Sequence, residues 1–230
     1  MFKAGTKTLA SALVELIRRD IIAGEFLPGT KLRIKVLAER YDAGPIPIRE
    51  ALSRLSAVGL IDAHEQRGFW VAPISATELN ELLALRKNLE YEALKESVAH
   101  GNYEWEAQLL AAHHRLVHHS AAAGIQGKDP TVVGPEWDKA HKAFHIALLA
   151  GCKSRWQMRF INTLSDQMNR YRHLSIHGGY SHQRDIDGEH KDLLEAALAR
   201  DVDRACLLLD EHLTRTVEFA LLALSKRGDL

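Results

Sequence analysis

The segment LRIKVLAERYDAGPIPIREALSRLSAVGLIDAHEQRGFWVA, residues 32–72, decides the fold of the N-terminal part of this chain. It contains two stretches with the apolar spacing of amphipathic helices, separated by a break at Ala43-Gly44-Pro45. The residues predicted to face inward are Leu32, Val36, Leu37 and Tyr41 in the first helix and Ile48, Leu52, Leu55 and Val58 in the second. Pro47 suits the first position of the second helix, where its missing N–H costs nothing, and Gly59 ends that helix.

The residues on either side of these two helices complete a small domain. Upstream, apolar residues recur at helical spacing from Leu9 to Ile21, and Gly24 follows as a stop. Downstream, residues 60–64 and 69–72 read as two short strands around Gly68. Three helices and a β-hairpin predict a winged helix-turn-helix over residues 1–74.

The remainder, residues 75–230, is predicted to be an all-α helical bundle. Ser75-Ala76-Thr77-Glu78 forms a capping box, in which the Ser hydroxyl accepts from the backbone of Glu78 and the carboxylate reaches back. That helix extends to about Ala99, and its inward stripe is Leu79, Leu82, Leu89, Ala93 and Val98. Further helices are predicted at 102–123, 136–150, 155–176, 186–200 and 203–226, with joints at Gly101, 124–135 and Gly178-Gly179. The fold class is therefore mainly α.

Composition excludes several classes of protein. The chain has 230 residues, of which 46% are hydrophobic and 26% charged, as in ordinary globular proteins. Its two cysteines, Cys152 and Cys206, form no CxxC motif, which favours a reducing compartment. Glu15 interrupts the apolar N-terminal stretch, and no apolar run approaches the roughly 20 residues that span a bilayer. We therefore expect a cytoplasmic protein without membrane contact.

The net charge of zero conceals two domains of opposite charge. Residues 1–74 contain 11 Lys+Arg and 8 Asp+Glu, a net charge of +3, and residues 75–230 contain 19 and 22, a net charge of −3. A basic N-terminal domain is a weak indication of nucleic-acid binding.

Five basic side chains are candidates for contact with DNA. A recognition helix presents its first turns to the major groove, where arginine bonds guanine O6 and N7. Arg49 lies in the first turn of the helix predicted to begin at Pro47, and Arg54 is about a turn and a half further on. Arg33 and Lys35 open the preceding helix, next to the phosphate backbone, and Arg67 lies beside the wing glycine. The alternative is that these are solvated surface charges.

Residues 9–72 contain the hexapeptide Pro47-Ile48-Arg49-Glu50-Ala51-Leu52, followed by Gly59-Leu60-Ile61 and Arg67-Gly68. With these motifs they resemble the GntR family of bacterial transcriptional regulators. The resemblance is carried by Gly24-Glu25-Phe26-Leu27-Pro28-Gly29, Leu37-Ala38-Glu39, Pro47-Ile48-Arg49-Glu50-Ala51-Leu52, Gly59-Leu60-Ile61 and Arg67-Gly68-Phe69. It implies operator contacts by Arg49 and also by Lys35, Arg54 and Arg67. Where the family usually has Ser-Arg-Thr, this chain has Gly44-Pro45-Ile46, so a different operator sequence is expected.

Histidine is the other conspicuous residue, since 12 of the 13 histidines lie at position 100 or later. His141 and His145 are one helical turn apart, a spacing that suits two ligands of one divalent ion. Taken alone, this pair is better explained as packed core or interface histidines. His114 and His118 have the same spacing, but they and His113 and His119 are predicted to lie on a solvated helix edge.

The second domain has Arg86 and Glu90 in its first helix, then Phe144-His145, and much later Glu189-His190 and His212-Leu213. With these residues it is similar to the FCD effector domain of the FadR subfamily. This resemblance implies metal ligands at His145, His190 and His212, with His141 in place of the usual aspartate. Four imidazoles favour Zn²⁺, with Ni²⁺ as an alternative.

The same resemblance implies a small carboxylate effector, for instance a dicarboxylate such as glutarate. The residues expected to contact it are Arg86, Arg170, Tyr171 and Arg172. Together these features predict a homodimeric repressor that binds a pseudo-palindromic double-stranded DNA operator and is not an enzyme. Two alternatives stay open at this point: a metalloenzyme that uses the histidines, and a DNA-binding protein whose histidines only pack.

Overall fold

The computed structural model describes residues 8–122, 134–177 and 184–227, and the chain divides into two compact units, Met1–Ile74 and Ser75–Leu230. Residues 124–133 of the expected joint at 124–135, and the whole of the joint at Gly178-Gly179, lie outside the described residues. The elements of the first unit are α1 Leu9–Ile22, β1 Lys31–Leu32, α2 Ile34–Arg40, α3 Pro45–Ser56, β2 Ile61–His64 and β3 Gly68–Val71. This is the predicted winged helix-turn-helix.

The core of the first unit forms where α1 and α2 pack against α3. Each helix contributes one apolar face, and the sheet closes the core from the wing side. Its fully buried members include Leu13, Ile17, Leu37, Ile48, Leu52 and Leu55. Asp20 is a buried carboxylate beside this core, and it accepts hydrogen bonds from Tyr41 at 2.8 Å and Arg40 at 2.9 Å. These bonds tie α1 to α2.

The wing has three strands, whereas the sequence predicted two. β1 pairs with β3, which also pairs with β2, and both pairings are antiparallel. Leu32, predicted to lie on the inner face of the helix that corresponds to α2, is in β1 opposite Phe69. A two-residue strand is too short to show the alternation of a β-strand, so its apolar residue was assigned to the adjacent helix.

Three further details of α2 and α3 differ from prediction. α3 begins at Pro45, two residues before Pro47, because Gly44 is its N-cap and proline is tolerated throughout the first turn. Val36 is exposed, since the seven-residue α2 buries Leu37 alone. Val58 is also exposed because it follows the end of α3, where helical spacing no longer applies. Gly59, at a φ of +74°, then reverses the chain into β2.

Among the residues that the structure describes, the elements of the second unit are all helices, as predicted. Its helices are α4 Ala76–His100, α5 Tyr103–Ala122, α6 Pro135–Leu148, α7 Arg155–His177, α8 Ile186–Leu198 and α9 Val202–Arg227. α4, α7 and α9 pack against one another, and α5 packs against α6 and α8. Within the described ranges no helix is long and apolar enough to cross a membrane.

The capping box at the start of α4 differs in one half from the prediction. The Ser75 hydroxyl accepts from the Glu78 N–H at 3.1 Å, as expected. The Glu78 carboxylate, however, does not close the box by itself, because the Tyr171 hydroxyl from α7 lies between the two residues. That hydroxyl accepts from the Ser75 N–H at 3.2 Å and donates to Glu78. The cap of α4 is thus also a tertiary contact.

Candidate functional site

The first candidate site is the basic face of the winged helix-turn-helix. Arg33, the N-cap of α2, and Lys35 are both exposed. Arg49 on α3 and Arg67 on the wing are also exposed and line one groove of about 490 Å³. Arg54 is different, because it donates to Ser11 of α1 at 3.1 Å and forms an ion pair with Glu50. Those bonds orient its guanidinium along the helix surface.

Lys31 is a further basic residue on the wing, outside the five that the sequence predicts to contact DNA. Its ammonium lies 4.6 Å from the centre of the Trp70 ring, opposite it across the β1–β3 pairing. Only the strand pairing shows this position, because Lys31 precedes the segment in which a strand was predicted. It adds a cation to the wing next to Arg67.

The second candidate site is a cluster of four histidines at the centre of the helical unit. His141 and His145 come from α6, His190 from α8 and His212 from α9, and all four are buried. One ligand atom from each lies within 4.8 Å of the others. The Nε2 atoms of His145 and His190 are 3.3 Å apart, and His141 stacks on Trp137 with ring centres 4.7 Å apart. The structure therefore brings together the four residues that the sequence singled out.

Glu189, which the sequence does not single out, orients one of these rings. Its Oε2 lies 2.8 Å from Nδ1 of His212, so this nitrogen carries the proton and Nε2 keeps its lone pair. Arg184 donates to both carboxylate oxygens, at 2.8 and 2.5 Å, and Arg215 adds a bond at 3.2 Å. Arg184 Nη2 also lies 3.1 Å from His212 Nδ1. Its two hydrogens are directed to Glu189 and to the His212 carbonyl, so it does not compete for the proton position on Nδ1. The sequence signal for this role is that a carboxylate, Glu189, directly precedes the predicted ligand His190.

The histidines are held neutral by their surroundings. Burial lowers the pKa values of His141, His145 and His190 well below the ordinary range, and the neighbouring histidines and arginines lower all three further. Burial lowers the pKa of His212 to about 4, against the opposing influence of Glu189. Burial would raise the pKa of Glu189, but the bonds from Arg184 and His212 lower it overall. The cluster is thus a set of neutral nitrogen donors at pH 7, the form that binds a metal.

Two of the predicted effector contacts, Arg86 and Arg172, are buried arginines whose charges lower the pKa of His145. Arg86 is paired with Glu90 at 2.6 Å, the salt bridge that its spacing allowed. Arg172 is paired with Asp138 at 2.7 Å and lies over Trp137. The ion pair of Arg184 and Glu189 is the third near the histidines. Each arginine is matched by one acid, so these three pairs add no net charge.

The other two predicted contacts have partners elsewhere. The Arg170 guanidinium bonds Gln167 of the same helix at 2.9 Å. The Tyr171 hydroxyl is engaged by Ser75 and Glu78 at the start of α4. Among the histidines at 113–119, His114 and His118 are exposed as predicted, but His113 is half-buried against Phe144. Its Nε2 is buried without a hydrogen-bond partner in the described structure.

The histidine cluster fits a divalent metal ion. Nε2 of His145 and Nε2 of His190 face each other at 3.3 Å, where two neutral rings can share at most one proton but two ligands of one ion can meet. Four imidazoles gathered in the interior are costly to desolvate unless they bind something. Their all-nitrogen donor set is one that zinc and nickel accept and that magnesium does not favour.

Comparison with known proteins agrees with this division into a DNA-binding and a helical part. Residues 9–71 match the family described as bacterial regulatory proteins, gntR family, and residues 81–215 match the FCD domain. The chain is 38% identical to the uncharacterized HTH-type transcriptional regulator BphR of Paraburkholderia xenovorans, over 93% of this chain and 86% of that protein. It is 36% identical to the HTH-type transcriptional repressor GlaR of Escherichia coli, over 86% and 89%.

The fold is shared with solved structures of low sequence identity. The E. coli protein McbR/YncC superposes with a TM-score of 0.77 at 19% identity, covering 94% of this chain and 99% of that one. The domains and the relatives of the present chain are those of transcriptional regulators and not of enzymes, as the sequence predicted. The chain therefore belongs to the GntR family of bacterial transcriptional regulators and carries an FCD domain behind its winged helix-turn-helix.

Proposed function

We propose that this regulator is a homodimeric repressor that senses a small dicarboxylate at a metal ion held by its four buried histidines. The observation that carries the proposal is the convergence of His141, His145, His190 and His212, with their ligand atoms within 4.8 Å of one another. The repressor sense is supported by the relatives GlaR and RspR of E. coli, both named as repressors.

DNA recognition is assigned to α3, α2 and the wing. Arg49 contacts a base edge in the major groove, while Arg33, Lys35 and Arg67 contact phosphate or the minor groove. Arg54, which bonds Ser11 in this structure, supports the position of α3 and reaches a phosphate. Arg49→Ala should weaken operator binding by about 1–3 kcal/mol, whereas Lys95→Ala on the helical unit should not. Equal affinity of the Arg49 variant and the wild type would exclude Arg49 from base recognition.

The metal is proposed to be Zn²⁺, or Ni²⁺, because all four ligands are neutral imidazoles. Glu189 acts on His212 by holding the proton on Nδ1 and leaving Nε2 to the metal. When bound, the ion supplies a Lewis acid to which carboxylate oxygens of an effector bind. If instead the histidines only pack against one another, the protein should purify without stoichiometric metal.

The preference for a dicarboxylate follows from charge. The three arginine–acid pairs around the histidines are neutral overall, so a divalent ion adds two uncompensated positive charges to a buried site. A ligand with two carboxylates offsets that charge, whereas a monocarboxylate leaves half of it. Arg86 and Arg172 are the proposed guanidinium partners of the effector, since both are buried and both act on His145. We give Arg170 and Tyr171 no direct role, because Arg170 is not among the charges that act on His145 and the Tyr171 hydroxyl holds the start of α4.

A thermal-shift screen of mono- and dicarboxylates, run before and after chelation, tests this proposal. A dicarboxylate should raise the melting temperature only when metal is present, and His145→Ala should lose both the metal and the shift. His118→Ala, which removes an exposed histidine, is the matched control. Unchanged metal content in His145→Ala would refute the assignment of the ligands.

The homodimer is proposed to form through the exposed apolar surface shared by α4 and α7. Its large exposed members are Leu85, Trp156 and Phe160. The two helices run antiparallel, because Gln157 near the start of α7 bonds Leu89, whereas Tyr171 near its end bonds Ser75. Apolar surface of this kind on two adjacent helices is typical of a protein–protein interface.

Charges at the two ends of this surface favour a second copy of the same chain as the partner. Arg155 and Arg159 are exposed at one end and Glu81 is exposed at the other. A two-fold axis across the surface places the basic end of one protomer against the acidic end of the other. The double variant Trp156→Ala/Phe160→Ala should sediment as a monomer, while Tyr103→Ala, on α5, should not change the mass.

Regulation then requires the effector to prefer one arrangement of the dimer. A ligand shifts the DNA-binding equilibrium only through different affinities for the competent and incompetent arrangements, typically about 1–3 kcal/mol. Operator affinity measured at saturating dicarboxylate gives this coupling directly. Identical affinity with and without the effector would show that the helical unit does not regulate DNA binding.

A further inference from the structure

Ile46 stands out among the apolar residues of the winged helix-turn-helix. It lies in the first turn of α3, and 80% of its surface is exposed. An isoleucine kept in water contributes nothing to the core and raises the risk of association. Its position at the tip of the recognition helix places it where the protein meets DNA.

The whole first turn of α3 has an apolar and donor-poor surface. Pro45 and Pro47 lack a backbone N–H, and the N-cap Gly44 has no side chain to bond the helix end. Helix N-termini usually attract phosphate through their free N–H groups. This one has lost two of its first three donors, so it is better suited to an apolar contact than to a phosphate.

Ile46 shares its side of the helix with a residue that can read a base. Arg49 and Ser53 follow at spacings of three and seven residues, and all three are exposed. The groups that DNA presents in the major groove are hydrogen-bond donors and acceptors, with one apolar exception, the C5-methyl group of thymine. An exposed isoleucine beside a base-reading arginine has only that methyl group as a matching partner.

We propose that Ile46 reads the C5-methyl group of a thymine next to the guanine read by Arg49. Three helical residues span about 4.5 Å along the axis, and base pairs of one strand are about 3.4 Å apart. The thymine therefore lies one or two base pairs from the guanine. This inference rests on the proposed role of α3 in DNA recognition, and it gives Ile46 a part in the different operator sequence expected from Gly44-Pro45-Ile46.

Replacement of thymine by deoxyuridine tests the contact, because deoxyuridine lacks only the C5-methyl group. Duplexes are first enriched from a random-sequence pool with the full-length protein, and each thymine of a half-site is then replaced in turn. Loss of one buried methyl group should weaken wild-type binding about fourfold at one thymine near the guanine. Ile46→Ala should bind the thymine duplex about fourfold more weakly or worse and should not distinguish thymine from deoxyuridine.

Leu9→Ala is the matched control, since it removes an exposed apolar side chain from α1 and should keep the full thymine preference. Two results overturn the inference: wild-type protein that ignores the methyl group at every position, or an Ile46 variant that still recognises it. The wild-type measurement does not depend on how the variant folds. If no sequence is enriched from the pool, the proposed DNA recognition itself fails, and the inference fails with it.

Discussion

Replacement of Glu189 by glutamine isolates the group that orients the histidine cluster without touching a proposed ligand. In the native chain the carboxylate accepts from His212 at 2.8 Å and takes two bonds from Arg184, whose side chain is 8% exposed. Glutamine has nearly the same shape and keeps one oxygen acceptor, but it removes the negative charge. Arg184 then has no countercharge, and His212 Nδ1 loses its strongest acceptor.

Two magnitudes follow from this geometry. Breaking one side of a buried ion pair costs about 3–5 kcal/mol of folding stability. In Glu189→Gln the amide keeps one oxygen acceptor and the neighbouring Arg215 is half exposed, so we expect a smaller loss of about 2–3 kcal/mol. Loss of the carboxylate that orients a metal-binding histidine lowers metal affinity about 10- to 100-fold. That range corresponds to about 1.4–2.7 kcal/mol in binding.

The assay is a zinc titration against a competing chelator, with thermal unfolding in EDTA measured on the same samples. Glu195→Gln is the control, because this residue is on the same helix and exposed. Its ion pair with Lys191 is long, at 3.7 Å, and lies in solvent. It should change neither stability nor zinc affinity by more than about 0.5 kcal/mol. Zinc affinity of Glu189→Gln equal to that of the wild type would refute the role given to the carboxylate.

Three other predictions concern stability. In EDTA the protein should lose stability as pH falls below 6.5, because His212 stays neutral when folded, with a pKa of about 4, but binds a proton when unfolded. This histidine alone contributes about 1 kcal/mol between pH 7 and 5.5, and pH-independent unfolding of the metal-free chain would contradict the prediction. Tyr41→Phe should cost about 1–2 kcal/mol in urea unfolding, since its hydroxyl donates to the buried Asp20, and no loss would mean that Asp20 is satisfied without it. Leu52→Ala should cost about 2–5 kcal/mol and Val36→Ala less than about 0.5 kcal/mol; similar losses for both would show that α2 is oriented differently.

Local pattern was sufficient wherever the structure depends on nearby residues. Apolar spacing and stop signals located every helix from α4 to α9 to within about two residues at most ends, since amphipathic periodicity is a property of one segment. The same reasoning failed at Leu32, whose strand is stabilised by pairing with Phe69, 37 positions later in numbering. It also failed at Val36, because which side of a short helix is buried depends on its neighbours.

The sequence by itself determined the two-part architecture, the family and one pair of ligands, His141 and His145, which adjoin on one helix. His190 and His212 could be named only by resemblance, and tertiary structure alone brings His190 to 3.3 Å from His145 across 45 residues of chain. The same holds for the Tyr171 bridge across the Ser75 cap and for the bonds of Glu189 to Arg184 and His212. The physical reason is that a helix period specifies which face is apolar, whereas the rotation and register of packed helices decide which polar side chains meet between them.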